Sequence, residues 1–423
     1  GDGGRGGGAG GPAHPGGHPS RVKGDTTHRH DDGRSMVAAI SVTMGALLAV
    51  YLTGALGVEI EHSLGLSATQ LGVAVAGFFA SSAVCAAGAG RLADRIGSSR
   101  VVRAAVVPSV AALAALAVGV RSWWSLTVTL IVAGTANGAI QPAANRFLTR
   151  TVSSGRQGFA FGVKQAAIPA ATMLSGIAVP LVALAVGWRW AFAGAAVLVV
   201  AFGLAFPTRR ASLAAAAKVV PATSVTEDRL VAAPVFRRGP LVVLAAGQAL
   251  GAAATVALGS FFVVAATSSG VDQARAGLIA AAGSAACLAV RVGAGRRADR
   301  RSGGHLRVVG LLMGVGVAGF LLLAAGRPSL LLPAALLTYG AGWGWPGLFN
   351  FGVARLYPSV PGRATGILQV GASSGGALGP LAFGYTAGAA GFQAAWLLAG
   401  LAALLGMVLV LTGRRQVIKA GVR

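Results

Sequence analysis

Two basic residues stand in stretches that otherwise hold almost nothing polar: Arg291 within 283–293, and Lys164 within 159–168. A charge at the centre of an apolar layer costs about 2.5–3.5 kcal/mol on membrane-insertion scales. An anionic ligand offsets much of that through a charge-assisted bond, bidentate where the partner is arginine. The competing expectation is that both side chains snorkel to a nearby interface along their aliphatic stems. Amides accompany the cations. Asn137, Gln141 and Asn145 recur every fourth residue and so form one stripe on a helix. Gln165, Gln248, Asn350 and Gln369 stand in other apolar stretches, with Tyr51, Thr53, Trp343 and Trp345. Each is a candidate substrate contact, although lone amides also serve simply to tie helices together.

Carboxylates are missing from these stretches. All 11 acidic residues fall in tails, loops or segment ends. A coupling proton would have only Glu59 or Glu61 to ride on, and for both the better reading is solvation at the extracellular rim. No phosphate-binding loop, nucleophile–base set or metal-ligand cluster is present, so neither enzyme activity nor a cofactor is expected. The histidines at 14, 18, 28 and 30 read as solvated tail, and Cys85 and Cys287 as packing residues.

Such residues must be positioned by elements suited to lipid. Hydrophobic residues make up 55% of the 423 and charged residues 11%, well below the roughly 25% charged of soluble domains. The mean hydropathy is +0.71. Twelve apolar segments have spanning length, about 20 residues or more: 36–58, 68–91, 101–120, 123–147, 157–184, 188–207, 240–267, 272–295, 305–326, 329–356, 363–388 and 391–412. Ser67-Ala-Thr-Gln70 reads as a capping box opening the second segment, and Asp272 as a cap opening the eighth. The expected organisation is a disordered cytoplasmic tail (1–35), a six-helix bundle (36–207), a cytoplasmic linker (208–239), a second six-helix bundle (240–412) and a short tail (413–423). With both termini cytoplasmic, every lysine and arginine except Arg121, Arg189, Arg275 and Arg327 falls inside. That bias sets orientation. The net charge of +24 is therefore topological, and nucleic acid is not an expected partner.

The two halves echo each other. Gly90-Arg-Leu-Ala-Asp-Arg95 returns as Gly295-Arg-Arg-Ala-Asp-Arg300, with Asp94 and Asp299 lying 205 positions apart. A repeat that long is a duplicated half-protein, as in transporters built from two parallel membrane halves. The stretch from Gly90 through Gly97 to Arg100 resembles the signature loop between helices 2 and 3 of the major facilitator superfamily, with Ser99 the one departure.

The resemblance implies an all-α membrane protein of two pseudo-symmetric six-helix bundles that moves a small-molecule substrate across the cytoplasmic membrane, as a monomer. It also implies that segments 1, 4, 7 and 10 line the central path, placing Tyr51, Asn137, Gln141, Gln248, Trp343 and Asn350 there. Gly90, Asp94, Arg95, Gly97 and Arg100 would form a latch whose partner lies near Arg363. In the weaker second copy, Asp299 and Arg300 would face Arg156. The spacing Arg291, Gly295, Ala298, Asp299 resembles monocarboxylate and oxalate/formate porters, where the arginine faces the anion. The expected function is thus secondary transport of a small organic or inorganic anion by a rocker switch, with a proton as candidate coupling ion. The alternatives are a proton-driven exporter of drug-like solutes and a non-transporting sensor. The fifth segment lacks the Gly-Pro-Gly-Gly cluster of exporter families, which weighs against the first of these.

Overall fold

The computed structural model describes residues 1, 21–153, 156–208, 238–299, 303–357 and 361–419. Among these residues the chain is helical with no strand. Most of the expected linker, its surface helix at 211–220 and most of the 1–35 tail lie outside the described residues.

The first half comprises α1 (Arg21–Ala55), α2 (Gly57–Leu64), α3 (Ala68–Ile96), α4 (Ser98–Val118), α5 (Trp123–Thr151), α6 (Gln157–Gln165), α7 (Ala167–Ala178), α8 (Leu184–Val186) and α9 (Trp188–Ala205). The second comprises α10 (Arg238–Ser268), α11 (Gln273–Asp299), α12 (His305–Ala324), α13 (Leu331–Ala335), α14 (Pro346–Leu356) and α15 (Pro361–Lys419). Both predicted caps form, at equivalent places in the two halves. The Ser67 N–H donates to Gln70 Oε1 at 2.9 Å and the Gln70 N–H returns to Ser67 Oγ at 3.3 Å. The Arg275 N–H donates to Asp272 Oδ2 at 3.1 Å.

Among the described residues nine helices are long and apolar enough to cross a membrane. Three features account for the difference from twelve. The helix α5 has the length, but its amides and arginines lower its hydropathy. Segment 329–356 is interrupted: π-helix runs from Leu336 to Gly342, and a turn follows before α14 opens on Pro346. Three glycines and a proline in 340–346 explain that break, since glycine resists helix and proline withholds an N–H. Segments 363–388 and 391–412 are two helices that meet without a loop at the expected break, at Gly391, whose φ of 84° suits glycine alone; taken together as α15 they count once among the nine.

The chain is also helical earlier than expected. The helix α1 begins at Arg21, where a disordered tail was predicted. Asp32 anchors it: the carboxylate is buried and accepts bonds from the Ser153 hydroxyl at 2.9 Å and Arg156 Nη1 at 3.2 Å.

The halves meet most closely at the end of the bundle bearing α2. There a β-carbon on Gly72 would fall 2.5 Å from the Pro380 carbonyl oxygen, and one on Gly176 2.5 Å from that of Gly277. Thr69 Oγ1 donates to the Gly384 carbonyl at 3.1 Å, and the Thr172 and Ser284 hydroxyls lie 2.8 Å apart. Without a hydrophobic drive between helices in lipid, such backbone-to-backbone approach supplies the dispersion contacts that hold them. Replacing Gly72 by leucine overpacks this crossing and should cost about 1–3 kcal/mol. The expected result is a lower melting temperature and faster amide exchange in 376–388; unchanged exchange there would refute the junction.

The same end buries carboxyl groups. Glu61 Oε1 is shut off from solvent with no hydrogen-bond donor on it, and both Glu59 oxygens are shut off as well. The expected rim solvation is therefore not what the fold provides, because α2 folds back against α10, with Gly57 touching Val264. Burial pushes Glu61 up from 4.5 to about 7, and it raises Glu59. A carboxyl group raised on folding favours the folded form while protonated and loses that contribution as pH rises through its folded value. Thermal stability should therefore be highest below pH 4.5 and fall toward pH 7. Glu61→Gln should flatten that slope in a pH series of melting curves; an unaltered slope would refute the assignment.

Candidate functional site

A chain of polar side chains crosses the first half. Asn137 and Gln141 lie one turn apart on α5, as the stripe predicts. The Asn137 amide donates to Ser82 Oγ on α3 at 2.8 Å, and the Gln141 amide donates to Asn137 Oδ1 at 3.1 Å. Lys164 Nζ on α6 completes it, donating to Gln141 Oε1 at 2.5 Å. Lys164 is only 4% exposed, so it does not snorkel into water. Each amide both donates and accepts along the line, and every member satisfies its neighbour.

Arg291 on α11 is 6% exposed and equally internal. Its partners are main-chain oxygens. Nη2 and Nε donate to the Trp343 carbonyl at 2.8 and 3.3 Å, and Nη1 donates to the Gln165 carbonyl. Both acceptors sit where a helix is interrupted. Gln165 ends α6, and the residue four further on, whose N–H would normally bond its carbonyl, is Pro169. Trp343 lies in the turn after the π-helical segment. The guanidinium thus joins α6 of the first half to the break in the second.

Aromatic rings close the site beside Arg291. Tyr51 of α1 meets Trp343 edge-on with centroids 5.8 Å apart, and Tyr339 lies 5.8 Å from Trp343 on another side. All three rings are buried. Gln248 on α10 is also buried, with an Oε1 that no donor reaches. An unpaired buried amide oxygen is costly.

Other predicted residues fall elsewhere. Gln165 takes part through its carbonyl; its amide side chain is half-buried. Asn350 is half-buried on α14. Gln369 is exposed on α15. In α15, Gly371, Gly375 and Gly379 press against the α10 backbone at Ala245, Ala249 and Ala253. At about 100° per residue, Gln369 lies about 120° round the helix from Gly375, the middle of that stripe.

The latch residues also pair differently. Asp94 forms an ion pair with Arg146 of α5, within its own half, whereas a partner near Arg363 across the gap was expected. Arg95 and Arg100 are exposed, Gly90 is half-buried, and Gly97 has a φ of 93° that ends α3. Arg156 pairs with Asp32 rather than facing the second copy. Arg300 and the side chains of Asp299 and Arg363 lie outside the described residues. Ser82, Asp32, Arg146 and Ser153 were not anticipated. Only the Gln165 carbonyl had a sequence signal, a proline four residues downstream.

Among the described residues, nine apolar helices of spanning length around buried polar side chains describe a multi-pass membrane protein. Residues 36–359 match the profile of the Major Facilitator Superfamily, and the chain belongs to that family. It is 31% identical over 246 residues to an MFS-type efflux pump of Mycolicibacterium smegmatis (strain ATCC 700084 / mc(2)155). That match spans 56% of this chain and 56% of the relative. The crystal structure of the nucleoside transporter NupG superposes with a TM-score of 0.64 at 15% identity, covering 89% of this chain and 99% of that one. At such identity the likeness concerns the fold.

The chain of bonds from Lys164 to Ser82 makes a specific prediction. Gln141→Leu removes the one oxygen that accepts from the Lys164 ammonium and should destabilise the protein by about 1–3 kcal/mol. Thermal unfolding in detergent tests this, and Lys164→Met in the same background should recover most of the loss. A Gln141→Leu variant as stable as the parent would refute the bond.

Proposed function

We propose that this protein is a secondary transporter that carries a small organic anion across the cytoplasmic membrane by alternating access. The observation that carries the reading is charge without counter-charge. Lys164 and Arg291 are each more than nine-tenths buried, yet the hydrogen-bond partners described above for them are neutral oxygens, and among the described residues no carboxylate forms an ion pair with either. Neutral acceptors relieve part of the desolvation cost; a charged ligand relieves more. Lys164 belongs to the first half; Arg291 belongs to the second and bonds the neighbouring Gln165 carbonyl, so a rocking motion could expose them alternately to each side.

In this reading the chain has twelve spans with both termini cytoplasmic. Residues 36–207 and 240–412 form the moving halves, and the glycine-packed junction is the closed outer side. Asn137 and Gln141 orient Lys164, while Tyr51, Trp343 and Gln248 offer rings and an acceptor to the rest of the solute. The protein acts as a monomer, and the half-buried Glu59 and Glu61 are the candidate carriers of a coupling proton.

A second reading is export of drug-like solutes, favoured by the likeness to an efflux pump. One pair of measurements separates the two. Arg291→Gln should cut anion flux in proteoliposomes at least tenfold at unchanged expression, and Arg291→Lys should recover little, since an ammonium lacks the planar fork. Flux unaffected by Arg291→Gln, together with protection of drug-sensitive cells by overexpression, would establish the exporter instead.

A further inference from the structure

We propose that the Gln165 carbonyl is an internal stand-in for the substrate's anionic group, and that the substrate must displace it from Arg291. Pro169 is the positioning residue that makes this carbonyl available. The inference rests on the anion reading above and adds to it a competitor built into the chain.

The sequence creates the acceptor. In a regular helix the Gln165 oxygen would bond the N–H of residue 169, but that residue is proline. Helix α6 accordingly ends at Gln165 and α7 starts anew at Ala167. The Ala166 N–H turns back to Gly162 and Val163, and the Ala170 N–H bonds Ala166. The Gln165 carbonyl is left directed at α11, where Arg291 Nη1 donates to it. The remaining donors, Nε and Nη2, stay on Trp343 within the second half. The guanidinium thus has one arm fixed in its own half and one crossing to the other.

The crossing arm is the exchangeable one. A carboxylate or phosphate adds to the hydrogen bond an attraction between opposite charges that a neutral carbonyl lacks, so it replaces Gln165 while the arm on Trp343 keeps the guanidinium aimed. The exchange has a consequence for movement. When Gln165 O leaves Arg291, α6 loses a polar tie to the second half, and the end away from the glycine junction is freed to part. Empty protein stays clasped, and loaded protein is released. Binding thereby biases the conformational equilibrium through a difference in bonds between the two states, the condition for any ligand-driven change.

A double-mutant cycle on the full-length, ligand-free protein tests the clasp. Pro169→Ala supplies the missing N–H, which takes Gln165 O back into its own helix; Pro169→Leu does the same and guards against an effect peculiar to alanine. Arg291→Gln should lower the melting temperature in the parent, and by about 2–4 °C less in either Pro169 background. A drop equal in all backgrounds would overturn the clasp. Affinity for benzoate, oxalate and inorganic phosphate, measured by titration calorimetry, tests displacement. Pro169→Ala should tighten whichever anion the parent binds by about fivefold, as one competing bond is removed, whereas a merely structural role for Pro169 would weaken or leave unchanged that affinity. Weaker or equal binding overturns displacement. If the parent binds none of the three, displacement falls together with the anion reading, and the melting cycle still decides the clasp independently.

Discussion

Burying a guanidinium commits the surrounding chain to supplying oxygen atoms, and much of the architecture near Arg291 meets that commitment. Regular helices have no carbonyls to spare, because each is spent on an N–H four residues along. The two helices flanking Arg291 are both broken where it touches them, at Gln165 and at Trp343. Proline and glycine create the breaks, the breaks release oxygen lone pairs, and the cation consumes them. Smooth helices in both places would leave three donors unsatisfied at a depth where water cannot help. Lys164 meets the same constraint by another route, through the amide relay of Gln141 and Asn137 to Ser82.

The two ends of the bundle are held by different physics. At the end bearing α2, contact is made through glycine and backbone oxygen, with short hydroxyl bonds between Thr172 and Ser284 and between Thr69 and Gly384. These contacts are dense and nonpolar apart from the hydroxyls. Apart from the Arg291 bond to the Gln165 carbonyl, the polar ties described toward the other end are internal to the first half: Asp94 with Arg146 and Asp32 with Arg156. They stiffen that half as a unit without fastening it to the second. A rocking mechanism needs rigid halves and one interface that yields before the other, and this distribution of contacts suits that need.

Much of this was legible in the residues alone. Apolar run length located the helices, the echo of Gly90–Arg95 at Gly295–Arg300 revealed the duplication, and the capping chemistry at Ser67 and Asp272 marked matching helix starts. The four-residue spacing of Asn137 and Gln141 correctly placed both on one face, and Lys164 joined them in space. What escaped was whatever depends on which neighbour a helix meets. Asp94 could have reached several arginines, and only the close packing of α3 on α5 selects Arg146. Asp32 gave no warning, since it precedes the apolar run and resembles any charged tail residue. Arg291 was found by its type, but its partners are main-chain atoms that no side-chain pattern advertises; the hint was a proline at a distance of four.

The continuity of α15 carries a consequence of another kind. Two spanning stretches are joined through the single left-handed residue Gly391, with helix on either side. The chain turns there with almost no loop to lend to proteases, antibodies or glycans. Nor does it leave slack that would let the stretches on either side shift independently, so they should travel as one splinted pair whenever the halves move.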